Sequence, residues 1–291
     1  MKLNSVAASV FRVLDKCSVD IQQAGAWRWQ VLVQNGTRLP LEASLDEDFL
    51  QLAARPEPAA RSVAELEHAL LGNAAIPGGA GLAMDANSHC LHTRAEIALP
   101  SDANPDHEYL LHRIQWAIDG FHRGVGLLRS LDSRRTDVVT LAPVPAPRLG
   151  ELLRESQWKC EERGPNEFAA VLDADTEPVS KIRMTGQGLL LNVELVRADA
   201  SAVSTRFALA VFLLTTGSTL RMARAYAVEI GSSLGFGFRV YLSARPEPEE
   251  IHHALAALSI AHRGAAREAR VLLDEAAARC YLAARDIPTA N

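Results

Sequence analysis

His89-Cys90-Leu91-His92 carries three metal-ligating side chains in four residues, and the tripeptide His-Arg-Gly occurs twice, at His122-Arg123-Gly124 and His262-Arg263-Gly264. A metal site would need the ligands of the first cluster to converge. On a strand, Cys90 and His92 point to one face and His89 to the other, so at most two ligands meet. Structural zinc takes four, and no second cluster is spaced to complete the set. The paired histidines invite general acid–base catalysis, because imidazole titrates closest to neutral pH. Each borders the apolar stripe of a helical pattern, however, and sequence spacing fixes no acidic partner for either. The glycine of each tripeptide is read as permitting close approach of helix to sheet.

The glycine runs Pro77-Gly-Gly-Ala-Gly81 and Leu234-Gly-Phe-Gly-Phe238 do not sit between a strand and a helix start, and no Lys-Ser or Lys-Thr follows them. Both features argue against a phosphate cradle. No HExxH is present, and His252-His253 are adjacent rather than one turn apart. The expectation is a protein without catalytic residues, cofactor or metal.

The elements that must position these residues come from a chain of 291 residues, 48% apolar and 22% charged. That composition is far from the disordered class and long enough for two domains. A net charge of -5 gives no overall electrostatic footprint for nucleic acid. The basic residues are almost all arginine, which suggests a GC-rich bacterial genome. Cys17, Cys90, Cys160 and Cys280 form no CxxC pair and read as reduced thiols. No run reaches the ~20 apolar residues of a membrane helix, and the first residues lead into an amphipathic stretch rather than a signal core. The expected address is the cytoplasm, with no membrane insertion and no nucleic-acid partner.

In the first half, Asn4-Ser5 are plausible N-caps for a stripe of Val6, Val10 and Val13. Alternation in 27–33 predicts a strand, and Asn35-Gly36 a hairpin turn. Two more strands fit 38–43 and 48–53, the first placed at an edge or bulge by Pro40. Ser62 caps a helix to Leu71, strands fit 82–85 and 91–99, and a helix covers about 105–131. The second half repeats the order: a helix at 149–157, strands near 158–162 and 168–174, and an extended region at 181–196 with Gly186 and Gly188 permitting a bend. A helix at about 204–214, strands at 223–230 and 235–242, and a last helix from 248 to about 283 complete it. Shifted by 140, Ile251, Leu258, Ala261 and Ala265 fall on Leu111, Ile118, Phe121 and Val125, so the duplication runs along the last helix of each half. The predicted division is 1–132, a Pro-rich linker at 133–148, and 149–291.

An α-β-β-β-α-β-β-α unit, here in two copies, resembles the type III secretion chaperone-like superfamily, which includes the CesT-type class I effector chaperones and the YbjN-like proteins. The second half carries the clearer likeness, in Leu149-Gly-Glu-Leu-Leu153, Phe168-Ala-Ala-Val-Leu172 and Leu189-Leu-Leu-Asn-Val-Glu-Leu195, followed by two strands and a helix behind a proline-rich acidic turn. The resemblance implies an α+β fold of two tandem antiparallel sheets packed with helices, pairing as an internal pseudo-dimer, and leaves a further homodimer open. It implies a non-enzymatic protein that binds an extended segment of a secreted effector or other partner, by main-chain pairing at a sheet edge and apolar pockets. A scaffold of the same fold contacting a folded partner is the alternative.

The candidate partner-contact residues are Trp116, Trp27, Trp29, Val31, Val33, Leu189 and Leu191. Trp116 lies off the apolar stripe of its helix, beside His112 and Arg123 in projection, where it either packs on the other half or anchors a partner. Trp27, Trp29, Val31 and Val33 either fill the core or line a peptide groove.

Overall fold

The stripe Val6, Val10, Val13 and Leu14 is buried along α1 (Lys2–Cys17). This helix starts ahead of Asn4 and Ser5, which therefore lie inside it and do not cap it. The computed structural model describes residues 2–54, 62–76, 78–99, 106–129, 149–164, 167–173, 178–185, 188–285 and 287. Four strands follow α1: β1 (Asp20–Gly25), β2 (Arg28–Asn35), β3 (Thr37–Leu45) and β4 (Phe49–Ala54). Alternation predicts only three. The added strand, β1, is exposed except for partial cover of Ile21, and a strand with no buried face shows no apolar alternation.

The tight turn at Gly36 (φ 78) joins β2 to β3, and Pro40 sits opposite Leu32 within that pair. Despite the proline, β3 is an interior strand. The carbonyl of Leu32 points to the β1 side, accepting from Val19 N at 2.7 Å, so Pro40 owes no donor to β2. On its other side the ladder with β4 runs, among the described residues, from Leu41–Ala54 onward, so Pro40 has no described partner there.

The first half continues with α2 (Val63–Asn73), β5 (Gly81–Met84), β6 (Leu91–Ala98) and α3 (His107–Arg129). A capping box starts α2: Ser62 Oγ accepts from Glu65 N at 3.2 Å, and Glu65 accepts in return from Ser62 N at 3.0 Å. The second half runs α4 (Leu149–Glu155), β7 (Cys160–Gly164), β8 (Glu167–Val171), β9 (Val179–Thr185), β10 (Gly188–Asp199), α5 (Val203–Thr219), β11 (Arg224–Ile230), β12 (Ser233–Leu242), α6 (Pro248–Val271) and α7 (Glu275–Ala283).

Two expectations change here. The extended region at 181–196 is a hairpin of β9 and β10, with Thr185 opposite Gly188. Gly188 (φ 143) is required there, because a Cβ would lie 2.2 Å from the Leu242 carbonyl oxygen. The last helix breaks after Val271, and Asp274 caps α7 by accepting from Ala277 N at 2.9 Å. Tyr281 of α7 then meets Phe212 of α5 edge-on, with ring centroids 6.2 Å apart.

The result is a mixed α+β protein with two antiparallel six-stranded sheets, ordered β1-β2-β3-β4-β6-β5 and β7-β8-β9-β10-β12-β11. The two orders are the same, so each repeated unit is α-β-β-β-β-α-β-β-α, one strand longer than the pattern predicts. Helices α1 and α3 cover one face of the first sheet, and α6 one face of the second. The edge strands β5 and β11 lie side by side where the sheets meet. There α2 packs on β11 and α5 on β5, so each middle helix serves both halves. This explains why α5 is apolar almost all round, with Phe207, Leu209, Val211 and Leu213 buried alike. The linker predicted at 133–148, and the boundary at 132, lie outside the described residues.

Candidate functional site

Where the two sheets meet, the core turns polar. Asn73, at the end of α2, is fully buried. Its Nδ2 donates to the carbonyls of Leu82 (2.9 Å) and Ala225 (2.8 Å), and its Oδ1 accepts from Leu82 N (2.6 Å). One side chain thus ties the edge of β5 to the edge of β11. Beside it, Glu96 of β6 is paired with both Arg94 and Arg224 and accepts from Met222 N at 3.0 Å. Burial alone would raise the Glu96 carboxyl, but the Arg224 and Arg94 guanidiniums outweigh it and hold the group below the usual carboxylate range.

Arg94 and Arg239 do the same work from opposite sides. Arg94 donates to the carbonyl of Ser218, in the last turn of α5, and Arg239 donates to the carbonyls of Ala74 and Ile76, just past α2. Each half thereby caps the C-terminus of the other half's middle helix. Two arginines, Arg94 and Arg224, share the single carboxylate of Glu96, and Arg239 lies beside Arg224. The carbonyl ends of α2 and α5, each worth about half a negative charge, help offset the remainder.

A second buried pair crosses the junction from α3 to α6. Arg113 grips Glu250 with two bonds (Nε–Oε1 2.7 Å, Nη2–Oε2 2.6 Å) and donates to the Arg245 carbonyl at 2.9 Å. Tyr109 Oη also donates to Glu250, at 3.1 Å. Glu250 sits in the first turn of α6, where the helix dipole favours a negative charge. Arg113 and Glu250 line a small cleft together with Glu96, Gly78, Trp116 and Tyr241. Its charged side chains, Glu96, Arg113 and Glu250, are each ion-paired.

Trp116, one of the residues singled out in the sequence, packs edge-on against Tyr241 of the other half, centroids 6.0 Å apart, and stays partly exposed. The backbone of Gly78 (φ 83) presses on it so closely that a Cβ would lie 2.2 Å from the Trp116 carbonyl oxygen. Trp27 is 39% exposed, and its indole donates to Asn4 Oδ1 at 3.4 Å. Trp29, Val31, Val33, Leu189 and Leu191 are buried against the helices and form core, so their side chains offer no free surface. The structure therefore does not gather the seven residues into one patch.

His122 Nε2 and His262 Nδ1 are buried without a hydrogen-bond partner, and burial lowers the pKa of each ring. Their glycines differ. A Cβ on Gly124 would lie 2.8 Å from Thr93 Cγ2, the close helix–sheet approach read from the sequence, whereas Gly264 is exposed with open space around it. His89 lies in the turn before β6 (φ 53). Among the described residues no group of three or more His, Cys, Asp or Glu is placed to hold a metal ion.

The sheet faces turned away from α1, α3 and α6 provide the other accessible ground at their outer strands, while their inner ends are buried at the junction. Cross-strand register sets out matching rows. In the first sheet Gln22, Gln30, Glu42, Ala53, Arg94 and Gly81 stand in line, and in the second Glu161, Ala169, Lys181, Asn192, Arg239 and Arg224. The next row reads Arg28, Ser44, Gln51, Glu96 against Glu167, Arg183, Leu190, Tyr241. A concavity of about 310 Å³ opens over the first face, bordered by Asp20, Gln22, Gln30, Leu32, Pro40 and Glu42. The outer edges β1 and β7 have no strand partner beyond them among the described residues.

Sequence reasoning missed the junction charges. A signal was present: Arg239 is a lone charge within an apolar strand run, and charged residues are almost never fully buried unless paired. No family model matches the chain, and no curated protein or solved structure matches it.

Proposed function

We propose that the protein is a non-enzymatic binding protein that holds an extended segment of another protein, a secreted effector or similar partner, in the cytoplasm. The observation that carries this reading is the unpaired outer edge of each sheet, β1 and β7, beside an open sheet face. A row of free N–H and C=O groups is a template for a further strand, and neighbouring side-chain pockets then select the sequence. The tandem α+β units and their shared junction agree with the resemblance to the type III secretion chaperone-like superfamily, with the two halves in the place of two subunits. The matched charges of the junction cleft suit structure rather than turnover.

Co-expression with secreted-protein candidates encoded beside this chain, followed by pull-down and hydrogen exchange, tests the reading. Retention of a non-globular segment with slowed exchange in β1 or β7 supports it. Failure to retain any such segment, or retention of folded partners alone, overturns it.

A further inference from the structure

The rows on the two open faces match position for position but differ in charge. Glu42 in the first sheet stands where Lys181 stands in the second, and Ser44 where Arg183 stands. Lys181 and Arg183 are both exposed on β9 and make no ion pair with a described residue, although Glu167 lies opposite Arg183 across β8. Arg183, Leu190 and Tyr241 form one cross-strand row, so Arg183 shares a face with Tyr241, which packs edge-on against Trp116, and is close enough to act on Tyr241 electrostatically. Arg123, exposed two turns along α3 from Trp116, also lies close enough to Tyr241 to act on it electrostatically. Lys181 and Arg183 therefore share a sheet face with Leu190 and Tyr241, whose ring meets the partly exposed Trp116, and Arg123 adds a third cation from the other half, in a chain whose net charge is -5.

We infer that this face, made by Lys181, Arg183 and Arg123 around Leu190 and Trp116, binds an acidic extended segment whose side chains alternate carboxylate and apolar. Successive side chains of an extended chain point to opposite sides, so carboxylates at every second position all face the cations on this side of the sheet. Aromatic anchors next to Arg are a recurrent basis of affinity, and exposed charge pairs add selectivity and on-rate. The charge difference between the sheets commits the occupant. An acidic segment is attracted here and repelled by Asp20 and Glu42 over the first sheet. The inference rests on the segment-binding reading and assigns it a surface and a chemistry.

The test uses the full chain and two synthetic ten-residue peptides, one alternating glutamate with leucine and one alternating lysine with leucine. The glutamate peptide is expected to bind, to slow hydrogen exchange in β9, and to bind more weakly as salt is raised. The K181E/R183E double variant should weaken it at least tenfold with an unchanged thermal midpoint, and R123E should weaken it independently. Equal binding of both peptides, an affinity unchanged in K181E/R183E, or protection confined to β1 would each overturn this surface while leaving segment binding in place. Concentration-dependent dimerisation that K181E/R183E abolishes would also overturn it, because the occupant would then be a second copy. Binding of neither peptide overturns the inference, whereas the broader reading stands or falls on the pull-down.

Discussion

Arg94 and Arg239 hold the same position in two sheets of the same strand order, and each caps the middle helix of the other half. Around them the halves have diverged. Arg94 stands beside Gly81, but Arg239 stands beside Arg224, and Glu96 in one half is replaced by Tyr241 in the other. The absent side chain of Gly81 makes room for Arg224, since a Cβ there would lie 2.8 Å from Arg224 Cγ. The junction therefore keeps the symmetry of its backbone contacts and loses the symmetry of its charges. The halves fit each other in one arrangement: two copies of the first would set Glu96 against Glu96, and two copies of the second would set Arg224 against Arg224 with no carboxylate. Duplication preserves what the main chain needs, while side chains are free to specialise.

The largest expected effect breaks this division of labour at its charged centre. Replacing Glu96 with alanine leaves Arg94 and Arg224 without a counter-ion and should cost about 3–5 kcal/mol in denaturant unfolding. Its counterpart Tyr241→Phe should cost about 1 kcal/mol, the value of the bond to Thr185. Equal losses would contradict the asymmetry. Acid titration sharpens the same point. The Glu96 carboxyl is held below its ordinary value of 4.5, so its stabilisation is full above that pH and is lost as the pH falls through the lower folded value. The E96Q variant should lose that part of the acid dependence, seen as a flatter thermal midpoint below pH 4.5.

Smaller effects separate the two copies of His-Arg-Gly. Gly124→Ala should destabilise by about 1–3 kcal/mol through overlap with Thr93. Gly264→Ala, with open space in an exposed helix, should stabilise by about 1 kcal/mol. Thermal unfolding of the two variants reads the difference in sign. Smallest of all, H122N and H262N should leave partner retention in the pull-down unchanged, and any loss would revive a chemical role for the pair.

Much of the fold is legible because buried elements carry a period. The stripes of α1, α3 and α6, the Asn35-Gly36 turn and the repeat at 140 all follow from local pattern. The edge strand β1 is not legible for the complementary reason: Asp20-Ile-Gln-Gln-Ala-Gly25 buries neither face, so nothing selects alternation. The break between α6 and α7 carries no proline or glycine, and only the Asp274 cap marks it. Gly188 was readable as a bend, but its need to be glycine comes from Leu242, far along the chain. The same distance hides the candidate site. Arg113 and Glu250 lie in different halves, and no local spacing joins them. Trp116 was legible as an off-stripe aromatic, whereas its neighbour Tyr241 was not.

The Asn73 bond to Ala225 has a consequence for how the protein is made. The two residues are 152 positions apart, so at a synthesis rate of about 5–20 residues per second Asn73 is complete for about 8–30 s before Ala225 exists. Until then the edge of β5 is uncovered and α2 lacks both α5 and β11. The newborn first half must wait on the ribosome with a bare strand edge, and any shortage of chaperone or slowing of translation would act on it there, before the molecule has been completed.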